Sequence, residues 1–384
     1  MEQEYTMATG MKIFYSVLAV GMFLFAVFLF NMKTTANDAV LLMPVFIIAG
    51  AVLIGINIIR RKVILYNDSV LCINLFSTKE IAIKDIKGCR IGQKAIIVEP
   101  ISADDPKITI SNCNDFGHSS DLKKYFQDNF KDLDAIDLEN DKAEILQDSS
   151  LGFTQTDREA ALKKAKIIAI VYNVAGIIAG FGVMILFSDK VLTVILMAYP
   201  LLGIIIMAYS NGLIKFLSNP KRSIHPYTML GFMGPVIVML VSALNSYDIF
   251  KYTNIWIPFI AISSPLFLLL YFFGINKTVK AVKGQVVVML VLALIYGFGS
   301  TIQINCAFDN SKLQVYDATI LDHRMEHGKS NSYYLTLSPW GPMQQADEVD
   351  IHSRLYYNTA IGDIVKVNFN QGLLHIPWFV VTKN

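Results

Sequence analysis

The stretch IIAIVYNVAGIIAGFGVMILF, residues 167–187, contains no charged side chain. A helix needs roughly 20 predominantly apolar residues to cross a bilayer, and it must satisfy its backbone hydrogen bonds internally. Six other runs along the chain have a similar length and character. The seven runs are Ile13–Phe30, Val40–Ile59, Ile167–Phe187, Val191–Ile214, Tyr227–Leu244, Ile255–Ile275 and Val286–Ile304. The sequence therefore predicts an integral, α-helical multi-pass membrane protein with about seven spans.

The composition agrees with this class. Hydrophobic residues make up 54% of the 384-residue chain and charged residues 17%, with a mean hydropathy of +0.46. Soluble domains carry about 25% charged residues. The net charge is only +2, and we find no basic tail or nucleic-acid-binding motif, so nucleic acid is not an expected partner.

Basic residues beside the spans predict the orientation, because Lys and Arg near a span tend to remain cytoplasmic. One set of connections is rich in them: Arg60-Arg61-Lys62, then Lys163, Lys164 and Lys166, then Lys215, Lys221 and Arg222, then Lys277, Lys280 and Lys283. The opposite connections hold only Lys33, Lys190 and Lys251. We therefore expect the N-terminus and residues 60–166 to be cytoplasmic and the C-terminal tail to be extracytoplasmic.

The first span has two interpretations. Its flank contains Glu2, Glu4 and a single Lys12, which is poorly basic for a cleaved signal peptide. A retained signal anchor is the favoured interpretation. Cleavage would leave six spans in the same orientation.

The interior of the spans contains no Asp, Glu, Lys, Arg or His. Ionisable groups at membrane depth usually mark ion paths or proton relays, so their absence argues against a proton-driven transporter and a voltage sensor. It also argues against intramembrane protease chemistry. Gly176 and Gly180 form a GxxxG pattern that predicts close approach of another helix. Five asparagines in or near span ends are expected to hydrogen-bond between helices or to lie at the interface, rather than to line a polar pathway: Asn57, Asn173, Asn211, Asn245 and Asn276. No catalytic residue, cofactor or metal site is predicted.

Residues 61–135 change to short alternating segments followed by a helix. The predicted strands are Val63–Tyr66, Ser69–Phe76, Ile81–Ile86, Lys94–Val98 and Lys107–Ile110, and the helix begins at Ser119 with Leu122, Tyr125, Phe126, Phe130 and Leu133 at helical spacing. A sheet of five or more strands, closed by one amphipathic helix, is the predicted α+β fold of this insert.

This insert resembles the bacterial pleckstrin-homology-like (PH-like) domains of uncharacterised membrane proteins, which often follow a pair of membrane helices. The resemblance is carried by Asn67–Asn74, by Ile81–Ile86, and by the helix with Leu122, Tyr125 and Phe126. It implies a fold only, because members of that family serve as lipid, peptide or self-association modules.

The first half of the insert is basic. A cation near anionic headgroups gains roughly 1 kcal/mol. The residues predicted to contact anionic lipid are Arg60, Arg61, Lys62, Lys79, Lys84, Lys87 and Arg90. The alternative is that the first three only set the topology and the others lie on solvated strand faces.

An acidic stretch, residues 132–148, is interpreted as a solvated linker or a short exposed helix, and the acidic linker between the domains is assigned to residues 136–155. Thr156 and Glu159 then match a capping box, which predicts a helix that continues without interruption into the third span. The five remaining spans are assigned to residues 156–304.

Residues 310–384 are predicted to form a small all-β domain of the SH3 or OB type. Its strands are Leu313–Leu321, Ser332–Leu337, Glu348–Ser353, Asp363–Phe369 and Leu373–Val381. The segments Ile361–Val367 and Gly372–Trp378 resemble extracytoplasmic domains of unknown function in bacterial membrane proteins.

Several His, Cys and aromatic side chains are of types that bind metals or ligands, but we interpret them as structural. His323 and His327 are spaced as metal ligands only if they lie on a helix, and the segment is predicted to be β. Cys72, Cys89 and Cys113 are expected in the reducing cytoplasm, and Cys306 stands alone outside. The outer aromatics Tyr333, Tyr334, Trp340, Tyr356, Tyr357 and Trp378 are expected to pack a core.

Two functions fit these observations. The first is a non-enzymatic membrane scaffold or sensor whose soluble modules bind lipid headgroups or a membrane or envelope protein. The second is a transporter or channel component for a neutral or lipid-like substrate. The absence of intramembrane charge favours the first, whereas five consecutive spans after the insert keep the second open. The oligomeric state does not follow from the sequence.

Overall fold

The computed structural model describes residues 2–31, 38–186, 189–275, 282–328 and 331–383. The chain divides into two compact units, Met1–Asp141 and Lys142–Asn384. Each unit combines apolar helices with a β-sheet domain. The flanking residues Lys33, Phe187, Lys277 and Lys280 lie outside the described residues.

The first unit begins with a strand and a helical hairpin. Its elements are β1 (Gln3–Thr6), α1 (Thr9–Asn31), α2 (Asp38–Arg60), β2 (Lys62–Leu65), β3 (Ser69–Ile73), β4 (Thr78–Ala82), β5 (Ile86–Ile91), β6 (Ala95–Pro100), β7 (Ile108–Ser111), α3 (Ser119–Asn129) and α4 (Leu133–Gln147), the last of which crosses the boundary between the units. Helices α1 and α2 expose most of their apolar side chains.

Two antiparallel sheets build the β domain of this unit. One has the order β1-β2-β3-β4 and the other β5-β6-β7. Alternate side chains of both sheets point into one core, and Leu122 and Phe126 of α3 are fully buried in it. The predicted strands and closing helix are therefore present, but the strands form two antiparallel sheets rather than the single predicted sheet.

The sequence analysis missed β1 and β5. Strand β1 precedes α1 in the chain but pairs with β2, which follows α2, in the register Thr6↔Lys62 to Gln3↔Leu65. The predicted strand Ile81–Ile86 is interrupted by a 3₁₀ turn at Ile83–Asp85, after which β5 starts a new sheet.

The acidic stretch is helical. Much of the predicted linker lies in α4, where Asp134 and Asp141 are buried. The interpretation of this stretch as solvated was wrong at these two positions, and Asp134 is buried because Arg90 pairs with it.

The second unit holds the remaining apolar helices and the second β domain. Its elements are α5 (Gln155–Leu186), α6 (Asp189–Tyr209), α7 (Met229–Ser246), β8 (Asp248–Ile249), α8 (Trp256–Gly274), α9 (Val282–Ala307), β9 (Gln314–Glu326), β10 (Ser332–Leu337), β11 (Asp347–Ile351), α10 (Ser353–Tyr357), β12 (Ile364–Asn370) and β13 (Trp378–Lys383).

The seven predicted spans fall on α1, α2 and α5 to α9. Among the described residues, α1, α2, α7, α8 and α9 contain segments long and apolar enough to cross a membrane, and α6 contains the shorter apolar segment Thr193–Tyr209. The fourth predicted span, Val191–Ile214, is too long because the helix ends at Tyr209. Asn211 and Gly212 adopt left-handed conformations there (φ 49° and 79°), which stops the helix.

Helix α5 begins with a capping interaction two residues earlier than predicted. The Thr154 hydroxyl accepts a hydrogen bond from the Asp157 backbone N–H at 3.1 Å, and the Asp157 carboxylate accepts one from the Thr154 N–H at 3.0 Å. From there the helix continues without interruption to Leu186, as predicted.

Glycines bring α5 and α7 into backbone contact. A Cβ on Gly176 would lie 2.3 Å from the Gly231 carbonyl oxygen, and one on Gly180 would lie 2.8 Å from the Gly234 carbonyl carbon. At the same crossing, Asn173 donates to the Tyr227 carbonyl (2.7 Å) and accepts from the Gly231 N–H (2.8 Å), which satisfies backbone groups at the start of α7. The GxxxG pattern therefore marks a real helix contact.

The second β domain is a six-stranded antiparallel sheet in the order β11-β10-β9-β12-β13-β8. Three of its strands, β10, β11 and β12, match the predicted ones closely. Strand β9 continues to Glu326 rather than ending at Leu321, and β13 begins at Trp378 rather than Leu373. Strand β8 was not predicted; it comes from the connection between α7 and α8 and pairs with β13 through Trp378↔Ile249.

Asn305, near the end of α9, fixes this domain to the helices. Its buried amide accepts from the Leu374 and Ile376 N–H groups (2.9 and 3.4 Å) and donates to the Ile376 carbonyl (2.8 Å). Gly372, at φ +76°, approaches so closely that a Cβ there would lie 2.3 Å from the Asn305 side-chain oxygen.

Asp309 adds further hydrogen bonds to this contact between the end of α9 and the β domain. One of its carboxylate oxygens accepts from the Trp378 indole (2.9 Å) and the Gly372 N–H (3.0 Å). Burial acts to raise the pKa of this carboxyl, but hydrogen bonds from Ser311, Trp378 and Gly372 outweigh burial and hold the pKa below its ordinary value.

We expect Gly176→Ala to destabilise the bundle by about 1–3 kcal/mol, since the new methyl group must displace the α7 backbone. Gly182→Ala on the same helix is the matched control, because the nearest atom to its Cβ is 3.8 Å away. Thermal unfolding of the two full-length variants in detergent measures the difference. Equal melting temperatures for both variants would contradict the close contact.

Candidate functional site

Arg61, one of the predicted lipid contacts, is engaged inside the first unit. Its side chain is 8% exposed and lies 3.3 Å from the Asp115 carboxylate. It also donates to the carbonyls of Ser111 and Asn112 and stacks on the Phe116 ring at 4.7 Å. Arg61 therefore ties the end of α2 to the segment that precedes α3.

Arg90, another predicted contact, holds a buried ion-pair network. Its guanidinium pairs with Glu99 at 2.9 Å and with Asp134 and Asp137 at 2.6 Å each, and Lys107 adds a contact to Glu99 at 3.2 Å. Burial acts to raise the pKa of Glu99, but the hydrogen bond and charge of Arg90 outweigh it and lower that pKa. This network joins β5, β6 and α4.

The other predicted contacts are distributed between the two ends of the first sheet. In the strand register, Lys62 lies opposite Thr6 on one side and Ile73 on the other. Lys79 lies opposite Cys72, one residue further into the sheet. Arg60 is exposed at the end of α2, so these three cations share the end of the sheet next to the helices. Lys62 also contacts Glu4 at 3.2 Å.

Lys84 and Lys87 follow the opposite end of the first sheet in the chain, and Lys87 belongs to the second sheet. Lys84 lies in the 3₁₀ turn that follows Ala82, and Ala82 pairs with Ser69 at the far edge of the sheet. Lys87 is the second residue of β5 and is exposed. The seven predicted contacts therefore comprise three cations beside the helices, two that follow the far end of the first sheet, and two that are paired internally.

The second unit contains an acidic pocket that the sequence analysis did not anticipate. A cavity of about 320 Å³ is lined by Asp248 of β8, Asp350 of β11 and His352, among others. An adjoining cavity of about 270 Å³ shares both carboxylates and adds Asp347 and Glu348. Burial, and secondly the Asp350 charge, raise the pKa of Asp248 to about 6.

No local sequence signal joins Asp248 to Asp350. The two residues are about one hundred positions apart, and the pairing of β8 with β13 brings the α7–α8 connection to the sheet. A lone acidic residue in a short connection has the pattern of an ordinary solvated loop charge.

The cysteines are buried and unreactive in character. Cys72, Cys89, Cys113 and Cys306 are all free thiols. Burial, and secondly the charges of Asp132 and Asp134, raise the pKa of the Cys89 thiol to about 11, so it remains protonated at neutral pH.

The two histidines of interest point to different neighbours. His323 lies on β9 with its ring 4.9 Å from that of Tyr356, and His327 contacts the Asn331 side chain at 3.3 Å. Within the described ranges, no group of three or more His, Cys, Asp or Glu residues is arranged to hold a metal ion.

The outer aromatic residues divide into two groups. Trp340 is buried in the core and Tyr356 packs against that core. Tyr333 and Tyr357 form a surface pair with ring centroids 5.4 Å apart, and Tyr357 is 66% exposed. We call Tyr333 and Tyr357 the tyrosine patch.

The chain matches no protein-family model, no curated protein and no solved structure. Its function is therefore inferred from the residues and their geometry alone.

Asp248 makes the stability of the second unit pH-dependent. Because its pKa is higher in the folded than in the unfolded chain, the folded state binds the proton more tightly, and stability is lost as pH rises from about 4 through about 6. Asp248→Asn should therefore stabilise the protein above about pH 7, by about 1–2 kcal/mol after allowance for partial solvent exposure, and have little effect near pH 4.

Thermal unfolding of the full chain across this pH range tests the expectation. Asp322→Asn, an exposed carboxylate on β9, is the control and should show no such pH-dependent gain. If Asp248→Asn destabilises the protein equally at both ends of the range, the carboxyl has a structural role other than the one inferred.

Proposed function

We propose that this chain is a non-enzymatic integral membrane scaffold or sensor that carries one β domain on each side of the membrane. The observation that carries the proposal is the attachment of each β domain to its helices at two points of the chain. The first domain takes β1 from before α1 and β2 from after α2, and the second takes β8 from the α7–α8 connection and its other strands from after α9. Such double attachment suits a domain that transmits force or position to the helices.

The same pairings support the proposed grouping of connections on one side of the membrane or the other, within each unit. The two ends of the α1–α2 hairpin, both expected in the cytoplasm, share one sheet, while the α7–α8 connection and the C-terminal tail, both expected outside, share another. Two connections expected inside also meet: the Phe216 N–H donates to the Gly274 carbonyl at 3.0 Å. Charge bias and strand pairing are independent, and they favour the same topology.

The PH-like interpretation of the first domain is part of this proposal. Four strands and three strands in two antiparallel sheets, followed by α3, are compatible with that fold. The helical hairpin would then be an insertion between its first and second strands. We propose that Arg60, Lys62 and Lys79 contact anionic headgroups, because they surround the point where the hairpin leaves the sheet.

The bundle interior favours a scaffold over a transporter. Its buried polar side chains are neutral, and several are paired within the bundle; Thr193 donates to Gln303 at 2.9 Å, for example. Backbone contact between α5 and α7 leaves no room for a substrate at that crossing. Interhelical hydrogen bonds of this kind hold helices together.

Single cysteines test the orientation. We expect a membrane-impermeant maleimide to label Gln345→Cys in intact cells and to label Asp104→Cys only after permeabilisation. Both positions are exposed, and the four native thiols are buried, so the unmodified chain is the blank. Labelling of Asp104→Cys in intact cells would refute the orientation.

We expect the outer β domain to bind a protein partner. Tyrosines are enriched among interface residues whose truncation costs about 2 kcal/mol or more, so the tyrosine patch is the natural contact. The full chain, isolated in native membrane discs, should retain a stoichiometric protein by mass spectrometry. The double variant Tyr333→Ala/Tyr357→Ala should lose it, whereas Gln344→Ala/Gln345→Ala should keep it. If both variants retain only the same lipid or small molecule, the transporter alternative is favoured.

A further inference from the structure

Two hairpin turns of the first sheet have the same length, but one has polar residues at its tip and the other has apolar residues. The turn between β2 and β3 has Asn67-Asp68 at its tip and is closed by the Tyr66 N–H donating to the Ser69 carbonyl at 2.9 Å. The turn between β3 and β4 has Leu75-Phe76 at its tip and is closed by Asn74 donating to Ser77 at 2.8 Å. Tips of this kind normally carry polar residues or glycine.

Strand register places the apolar turn beside the helical hairpin. One row of the sheet joins Thr6, Lys62, Ile73 and Thr78. Helix α1 begins three residues after Thr6, and α2 ends two residues before Lys62. The Leu75-Phe76 tip lies beyond the same row by about two residues, or roughly 7 Å, which brings it level with the end of α2.

The polar turn lies at the other end. Its neighbours in the sheet are Leu65 and Val70, and these pair at the edge farthest from the helices. The two tips therefore differ in composition according to their distance from the hairpin.

Exposure shows that Phe76 has no partner within the described domain core. Its side chain is 81% exposed, and it belongs to none of the core clusters. Ile59, at the end of α2, is 84% exposed. An aromatic side chain at the level of a helix end suits the boundary between headgroups and acyl chains.

We propose that the Leu75-Phe76 turn inserts into the lipid interface of the leaflet next to the α1–α2 hairpin. Phe76 acts as the apolar anchor, and Arg60, Lys62 and Lys79 surround it with positive charge. The turn is then a third membrane contact of the first domain besides the two helices, and it fixes the angle of the sheet to the membrane. This inference rests on the proposed crossing of the membrane by α1 and α2.

Nitroxide labels at three positions of the full-length protein test the depth of the turn. Phe76→Cys reports on the apolar tip, Asp68→Cys on the matched polar tip, and Val20→Cys on the middle of α1. The protein is reconstituted in vesicles of phosphatidylcholine and phosphatidylglycerol. Collision rates are measured with oxygen and with a water-soluble nickel chelate. Because Phe76 is not part of the core, its replacement leaves the fold intact.

We expect the label at position 76 to collide about tenfold less with the chelate than the label at 68, since polar solutes are poorly soluble near the acyl chains. The label at position 20 should be shielded still more. If position 20 is shielded while 76 matches 68, the inserted turn is refuted and the membrane protein proposal stands. If position 20 is itself open to the chelate, the proposed crossing fails and this inference fails with it.

Discussion

Strand pairing between Thr6 and Lys62 is the constraint on which the first unit depends. Neighbouring strands lie about 4.8 Å apart, so this pair forces the start of α1 and the end of α2 to be close together. A chain that leaves the sheet at one strand and returns at the next must form a helical hairpin with both ends on one side. The fold of the β domain and the topology of the hairpin are thus one requirement.

In the second unit, the β domain is likewise attached to the helices, here by side chains as well as by a strand. Asn305 lies on α9 and satisfies three backbone groups of the segment 372–376, all out of contact with water. A buried polar group without a partner costs about 1–3 kcal/mol, so the amide and the loop each need the other. Together with Asp309 and β8, this joint leaves the sheet little freedom to rotate against the end of α9. Such rigidity is what a module that reports on, or positions, its helices requires.

The features that could be predicted from the sequence are those determined by residues close together in the chain. Charge-free runs identified the helices, and alternation identified β9, β10 and β12. Two of the missed strands, β1 and β8, are two to four residues long and contain Glu4 or Asp248. Only pairing with a distant segment makes them strands. The same reason explains the candidate site. The sequence alone suggests that Arg61 and Arg90 are surface cations. Only the fold shows that Arg61 forms an ion pair with Asp115 and Arg90 one with Asp134.

The internal pairing of these two cations changes the balance of forces in the proposed lipid contact. Three cations remain beside the hairpin, each worth roughly 1 kcal/mol near anionic lipid, and Lys62 already shares its charge with Glu4. Burying a Phe side chain contributes about 1.5–3 kcal/mol, so the apolar tip supplies as much as the charges do. Charge interactions weaken within a Debye length of about 8 Å at physiological ionic strength, whereas apolar burial does not. In the proposed arrangement, a domain held by both forces therefore keeps its orientation to the bilayer when salt screens the cations.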